Sequence, residues 1–142
     1  MAIVGRKPKP EGQQRHGHKP LRGWLEVEDR AFRGRHPLPA SMPDGRPWPD
    51  ATRSWWRVVS TMPHCRLWSR ADWQFALDTA LTAAAFHGGD MKLATELRIR
   101  DRAMGTTLEA RLNLRIRYVE PQRNEQLASV TAIEDYRRMV EE

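Results

Sequence analysis

The stretch that most constrains this chain is residues 69–90, Ser-Arg-Ala-Asp-Trp-Gln-Phe-Ala-Leu-Asp-Thr-Ala-Leu-Thr-Ala-Ala-Ala-Phe-His-Gly-Gly-Asp. It opens like a capped helix. Ser69 can accept a backbone N–H from the first turn, and Asp72, three residues on, suits the positive end of the helix dipole. At about 100° per residue, Trp73, Leu77, Ala80, Leu81 and Ala84 share one face, while Phe75 and Phe86 fall opposite. Between Trp73 and Phe86 the only formal charge is Asp78. A helix apolar on two sides is normally buried on two sides. Gly88-Gly89 stops it, and Asp90 is a ready cap for a second helix. The expectation is an antiparallel helical hairpin whose Trp73/Leu77/Ala84 side packs on the next helix. Phe75 and Phe86 then face either the preceding segment or another subunit.

The hairpin continues in a helical register. Residues 90–104 place Leu93, Ala94, Leu97 and Met104 on an inward stripe, with Arg98 and Arg102, four apart, on a different face. Gly105 provides a left-handed stop. Thr106-Thr107-Leu108-Glu109 reads as a capping box opening a third helix that Pro121 ends. In that helix Leu108, Leu112, Ile116 and Val119 form one stripe, Ala110 and Leu114 a weaker one opposite, and Arg111 and Arg115 lie on a flank. A polar linker then leads to Thr131-Ala-Ile-Glu134, which opens a short acidic helix with Ile133, Tyr136 and Val140 on one side. Such a detached amphipathic helix suits a docking peptide or a packing accessory rather than catalysis.

Upstream of the hairpin, regular structure gives way. Asp50 is read as the cap of a short helix over 51–62, ended by Pro63. In it Trp55, Val59 and Met62 share a face and Trp56 looks away, so either the upstream segment or another subunit covers Trp56. Prolines at 37, 39, 43, 47 and 49 forbid a regular helix over residues 24–49 and favour an extended strap, with a turn at Pro43-Asp44-Gly45. Trp24 and Trp48 are expected to pin that strap to the helical body rather than to stack on bases. The fold expected is therefore all-α: a flexible basic arm (1–23), a Pro-rich strap (24–49), a helical oligomerisation core (50–120), and a linker with an acidic helix (121–142).

Charge bears on partners. The chain of 142 residues carries a net +6, with a pI near 10.2, which favours a polyanion. Arg6, Lys7, Lys9, Arg15, Lys19 and Arg22 stand against Glu11 alone in the first 23 residues. That arm is either a solubilising tail or, as we favour, a basic segment lying along nucleic-acid phosphates without reading bases. The far end is acidic. No apolar run approaches the roughly 20 residues of a membrane span. No secretory h-region follows Met-Ala-Ile-Val-Gly-Arg-Lys, and the lone Cys65 fits a reducing compartment, so a soluble cytoplasmic protein is expected.

Motifs for chemistry are few. There is no phosphate-cradling Gly-x-x-x-x-Gly-Lys-Ser/Thr loop, no Cys-x-x-Cys set and no His-Glu-x-x-His. His16-Gly-His18 falls short of a four-ligand metal site. His64 and Cys65 are sequence neighbours whose side chains diverge on any regular backbone, so no thiol–imidazole pair is expected. No catalytic residue, metal or cofactor is assigned.

Several strings, taken in order, resemble the small terminase subunits of tailed bacteriophages, particularly those infecting actinobacteria. They are Gly5-Arg-Lys-Pro-Lys-Pro10, Pro43-Asp-Gly-Arg-Pro-Trp-Pro-Asp-Ala-Thr52, Ser54-Trp-Trp56, Leu67-Trp-Ser69, Asp72-Trp73, Leu77-Asp-Thr-Ala80, Gly88-Gly-Asp90 and Leu93-Ala-Thr-Glu-Leu-Arg98. The resemblance covers residues 5–120 and leaves the acidic tail outside. Where the family carries Leu-Gly-x-Thr-Pro, this chain reads Met104-Gly-Thr-Thr-Leu108, which keeps the capping threonine without the proline. The resemblance implies a non-enzymatic subunit in the host cytoplasm that assembles into a ring, binds double-stranded viral DNA and regulates the large terminase subunit. On that reading the arm residues are the DNA contact, Arg98, Arg102, Arg111 and Arg115 a second candidate contact, and Trp56, Phe75, Phe86 and Leu114 the oligomer interface. The alternative is a helix-turn-helix regulator built on residues 90–118, with the third helix as reader.

Overall fold

A computed structural model describes residues 23–121. The six arm residues expected to contact DNA and the acidic helix after residue 130 lie outside the described residues. Strand β1 (Leu25–Glu28) is followed by a long extended segment, then α1 (Asp50–Val59), a 3₁₀ turn (Pro63–Leu67), α2 (Arg70–His87) and a second 3₁₀ turn (Met91–Leu93). Then come α3 (Ala94–Met104), α4 (Leu108–Asn113) and β2 (Ile116–Val119).

The capping chemistry of α2 forms as its sequence dictates. Ser69 accepts from the Asp72 amide, and the Asp72 carboxylate accepts the Ser69 amide at 2.7 Å. Such a cap contributes about 1 kcal/mol. Gly105 closes α3 in the left-handed region at φ 71°, and Asp90 caps the turn into α3 by accepting from the Lys92 amide at 3.2 Å. Three caps differ from expectation. Asp90 caps only the 3₁₀ turn, and α3 itself starts after Leu93 with no side-chain cap. Asp50 is the first residue of α1, behind Pro49, with no side-chain cap bond. Thr107, not Thr106, caps α4, its hydroxyl accepting from the Ala110 amide.

The fold is mostly helical but not all-α. The expected third helix ends at Asn113, and residues 116–119 form a strand instead. That strand pairs in parallel with β1, in the register Leu25↔Ile116, Glu26↔Arg117, Val27↔Tyr118 and Glu28↔Val119. The switch happens at Arg115, a non-glycine residue at φ 57°, a conformation that ends a helix and costs about 1 kcal/mol or more. The strand pairing offsets that cost. It adds four backbone registers, a cross-strand ion pair between Arg117 and Glu26, and the burial of Val27.

The core is built on small residues. Ala76, Ala80, Ala83 and Ala84 of α2 are buried, which lets neighbouring backbones approach closely. Trp48, Trp56, Val59, Met62, Cys65 and Met104 fill the space against them. Large side chains thus come from α1 and its flanks, and α2 supplies the flat surface. The two faces of α2 are used in the opposite sense to the expectation. Trp73 points to the extended segment, its ring stacked on His36 at 3.8 Å between centroids. Phe75 faces α3, lying under the Arg100 guanidinium at 5.1 Å.

Candidate nucleic-acid interface

The extended strap is clamped to the helices by tryptophan indoles. Trp48 Nε1–H donates to the Pro39 carbonyl at 2.9 Å, and Trp56 Nε1–H donates to the His36 carbonyl at 2.8 Å. Further upstream the Phe32 amide donates to the Thr61 carbonyl at 2.9 Å. Trp56 is buried beneath this segment at 6% exposure, so the strap, and not another subunit, covers it. Contrary to the expectation, Trp56 has no surface to offer an oligomer interface, because the indole is buried and its donor is filled.

Clamping the strap brings arginines from distant parts of the sequence together. A groove of about 860 Å³ runs between the strap and α1, and Arg33, Arg35, Arg53 and Arg57 line it beside one carboxylate, Asp50. A smaller groove on the other side of His36-Pro37, of about 330 Å³, shares Arg35 and adds Arg70. Arg53 Nε donates to the Trp48 carbonyl at 3.2 Å and an Arg57 terminal nitrogen donates to Ser54 Oγ at 3.1 Å. The ion pairs among the described residues join Arg30 to Glu28, Arg46 to Asp44, Arg100 to Glu96 and Arg117 to Glu26. The groove arginines take part in none of them. Arg33-Gly-Arg35 and the pair Arg53/Arg57 are each visible in the sequence, but nothing local signals that the strap folds back over α1.

The arginines singled out from sequence are not one cluster. Arg98 and Arg102 are exposed on α3. Arg111 turns inward, donating to the Gly105 carbonyl at 3.1 Å and the Thr106 carbonyl at 3.2 Å, with its guanidinium over the Tyr118 ring. Arg115 occupies the helix-to-strand corner. A recognition helix over 108–119 does not exist, and the six residues of α4 span only about 9 Å. The helix-turn-helix reading loses its reader. Of the residues assigned to an oligomer interface, Phe75 (38% exposed) and Leu114 (46%) remain accessible, and Phe86 is half-buried.

The buried titratable groups are structural. His64 Nε2–H donates to the Met104 carbonyl at 2.7 Å, so its Nδ1 is free to accept the Tyr118 hydroxyl proton at 2.7 Å. Burial pushes the imidazole below its ordinary pKa, and Arg111 nearby adds to that. Cys65 is 1% exposed; its Sγ–H donates to the Val59 carbonyl, and burial pushes the thiol up to about 12. At neutral pH it is no nucleophile. Thr52 Oγ1 lies 2.8 Å from His87 Nδ1, an arrangement that ties α1 to the end of α2, and the hydroxyl is fully buried. Burial also raises the Asp101 carboxyl, opposed by Thr106 and Trp55.

Exposed arginines that form no ion pair among the described residues are the kind of electrostatic footprint that attracts polyanions. A family model described as phage terminase small subunit matches residues 4–141. The chain belongs to that family. The match runs through the acidic tail, past residue 120 where the resemblance read from motifs stopped. Neither a curated protein nor a solved structure matches the chain significantly. No helix of the described residues is long and apolar enough to cross a membrane.

Proposed function

We propose that this terminase small subunit is a non-catalytic adaptor of the packaging motor. It binds double-stranded viral DNA, assembles into a homo-oligomer, and regulates the large terminase subunit in the host cytoplasm. The observation that carries the reading is the family match over residues 4–141, which includes both the basic head and the acidic tail. A basic head and an acidic tail suit two partners of opposite charge, with DNA at one end and a protein at the other. Exposed arginines on the folded body, Arg98 and Arg102 among them, add to the positive field.

Assembly draws support from apolar side chains that the described residues leave uncovered. Leu108, Leu112 and Leu114 are 66%, 49% and 46% exposed, close together in sequence at the α4–β2 corner. With Phe75 they offer a second copy an apolar contact. Light scattering on a sizing column tests this, with a multimer expected at micromolar concentration. A monomer would remove the assembly part.

The large-subunit contact is tested by co-purification of the two subunits, with and without residues 122–142. Retention of the large subunit by the full chain and its loss on truncation is the result expected. Equal retention by both would place the contact elsewhere.

A further inference from the structure

The groove between the strap and α1 has a construction that its residues explain. Residues 32–36 are held at both ends, by the Phe32 amide on Thr61 and by the His36 carbonyl under Trp56. Phe32 and His36 both stack toward Trp73. Between them Gly34 lies against the Phe32 ring so closely that a Cβ there would run into it. The loop is therefore closed over its own phenylalanine, and Arg33 and Arg35 stand exposed on either side of the glycine. Across the groove, Arg53 and Arg57 are one helical turn apart on α1, about 6 Å along the axis. Phe32, Leu38 and Trp56 line it without adding charge. Among the described lining residues Asp50 is the only carboxylate, against four arginines.

We propose that this groove is where the folded body holds the DNA backbone, with Arg33, Arg35, Arg53 and Arg57 on phosphates. The proposal rests on the reading of the chain as a DNA-binding subunit, and it locates a contact that residues 1–23 do not contain. Guanidinium groups suit the role because their planar forks bond phosphate oxygens in pairs. Contacts to phosphates fix position without reading sequence, so the groove grips any duplex alike. Its residues come from both the strap and α1, and undocking the strap dismantles it.

The test is fluorescence anisotropy of the full chain with a short labelled duplex of mixed sequence, titrated across about 50–200 mM salt. The variants are Arg33→Gln/Arg35→Gln, Arg53→Gln/Arg57→Gln, and the same pairs changed to lysine. Each neutralised phosphate contributes about −0.9 to the log–log salt slope, so either glutamine pair should flatten it by about 1.8. The lysine pairs keep the charge and should keep the slope. Arg33 and Arg35 make no side-chain hydrogen bond or ion pair among the described residues, so their variant keeps the test open if Arg53→Gln/Arg57→Gln fails to fold. A wild-type chain that does not bind the duplex overturns the DNA-binding reading itself. A wild-type chain that binds, with glutamine pairs of unchanged slope, overturns the groove alone.

Discussion

Replacing Trp56 by phenylalanine should loosen the strap. The indole N–H that meets the His36 carbonyl at 2.8 Å disappears, leaving a part-buried acceptor without its donor, which costs about 1–3 kcal/mol. The smaller ring also leaves a gap under a residue only 6% exposed, adding about 1 kcal/mol. The total, about 2–4 kcal/mol, is a large part of the roughly 5–15 kcal/mol that holds a domain together. The loss should appear twice. Urea unfolding followed by circular dichroism should show a lower midpoint at an unchanged m value. Trypsin should cut after Arg33 and Arg35 faster, because cleavage there requires the strap to open. A drop of about 2 kcal/mol in the opening free energy raises the open population roughly 30-fold, since about 1.4 kcal/mol is a factor of ten. If the midpoint falls while cleavage at Arg33 and Arg35 keeps its wild-type rate, the strap is not held by Trp56 and the clamp described here is wrong.

Three further outcomes follow from the buried network. His64 is held neutral with its pKa below the ordinary 6.5. The unfolded chain therefore binds the extra proton first, and stability present above about 6.5 is lost as pH falls toward the folded value. Asp101, whose pKa is raised, works in the opposite sense, so the comparison to make is wild type against His64→Gln between pH 7.5 and 6; the difference between their urea midpoints should shrink as pH falls, and a constant difference would contradict the assignment. Tyr118→Phe removes the hydroxyl that donates to His64 Nδ1 and should cost about 1–2 kcal/mol, with the same urea assay as readout and no loss as the contrary result. Gly105→Ala should cost about 1–2 kcal/mol or more, because φ is 71° and the new Cβ would sit 3.1 Å from His64 Nε2. A melting temperature equal to wild type would show that the turn relaxes there.

The sequence carried the local signals and missed the long-range ones. Ser69 with Asp72 and Gly105 are short-range chemistry, and each forms as read; Asp90 caps a 3₁₀ turn instead of the helix it was expected to open. The stretch 114–119, Leu-Arg-Ile-Arg-Tyr-Val, satisfies two periods at once. Leu112, Ile116 and Val119 fit a helix stripe, while Ile116 and Tyr118 alternate with Arg117 and Val119 as a strand would. Its fate is decided by Leu25–Glu28, a segment some ninety residues upstream that offers a parallel edge, and no residue near 116 encodes that. The alternation in Leu25-Glu26-Val27-Glu28 was the signal available.

The same limit governed the candidate site. Arg98 and Arg102 share an exposed face as the helical period requires, but Arg111, which the period puts on a helix flank, turns back on the Gly105 and Thr106 carbonyls. The sequence leaves Trp56 between the strap and another subunit, because a helical wheel shows which way a side chain points and not what meets it. Arg33 and Arg35 meet Arg53 and Arg57 only because two indoles find carbonyls in a segment without regular structure. Hydrogen bonds of that kind leave no periodic trace.

The proposed function makes the chain a bridge between DNA and the large terminase subunit. The most direct measurement is a bead assay with an immobilised duplex, purified large subunit, and the full chain added or withheld. The account predicts that added chain raises the large subunit retained on the duplex, and that deleting residues 122–142 abolishes the gain while the small subunit itself stays bound. Retention of the large subunit that is the same with and without the chain would contradict it.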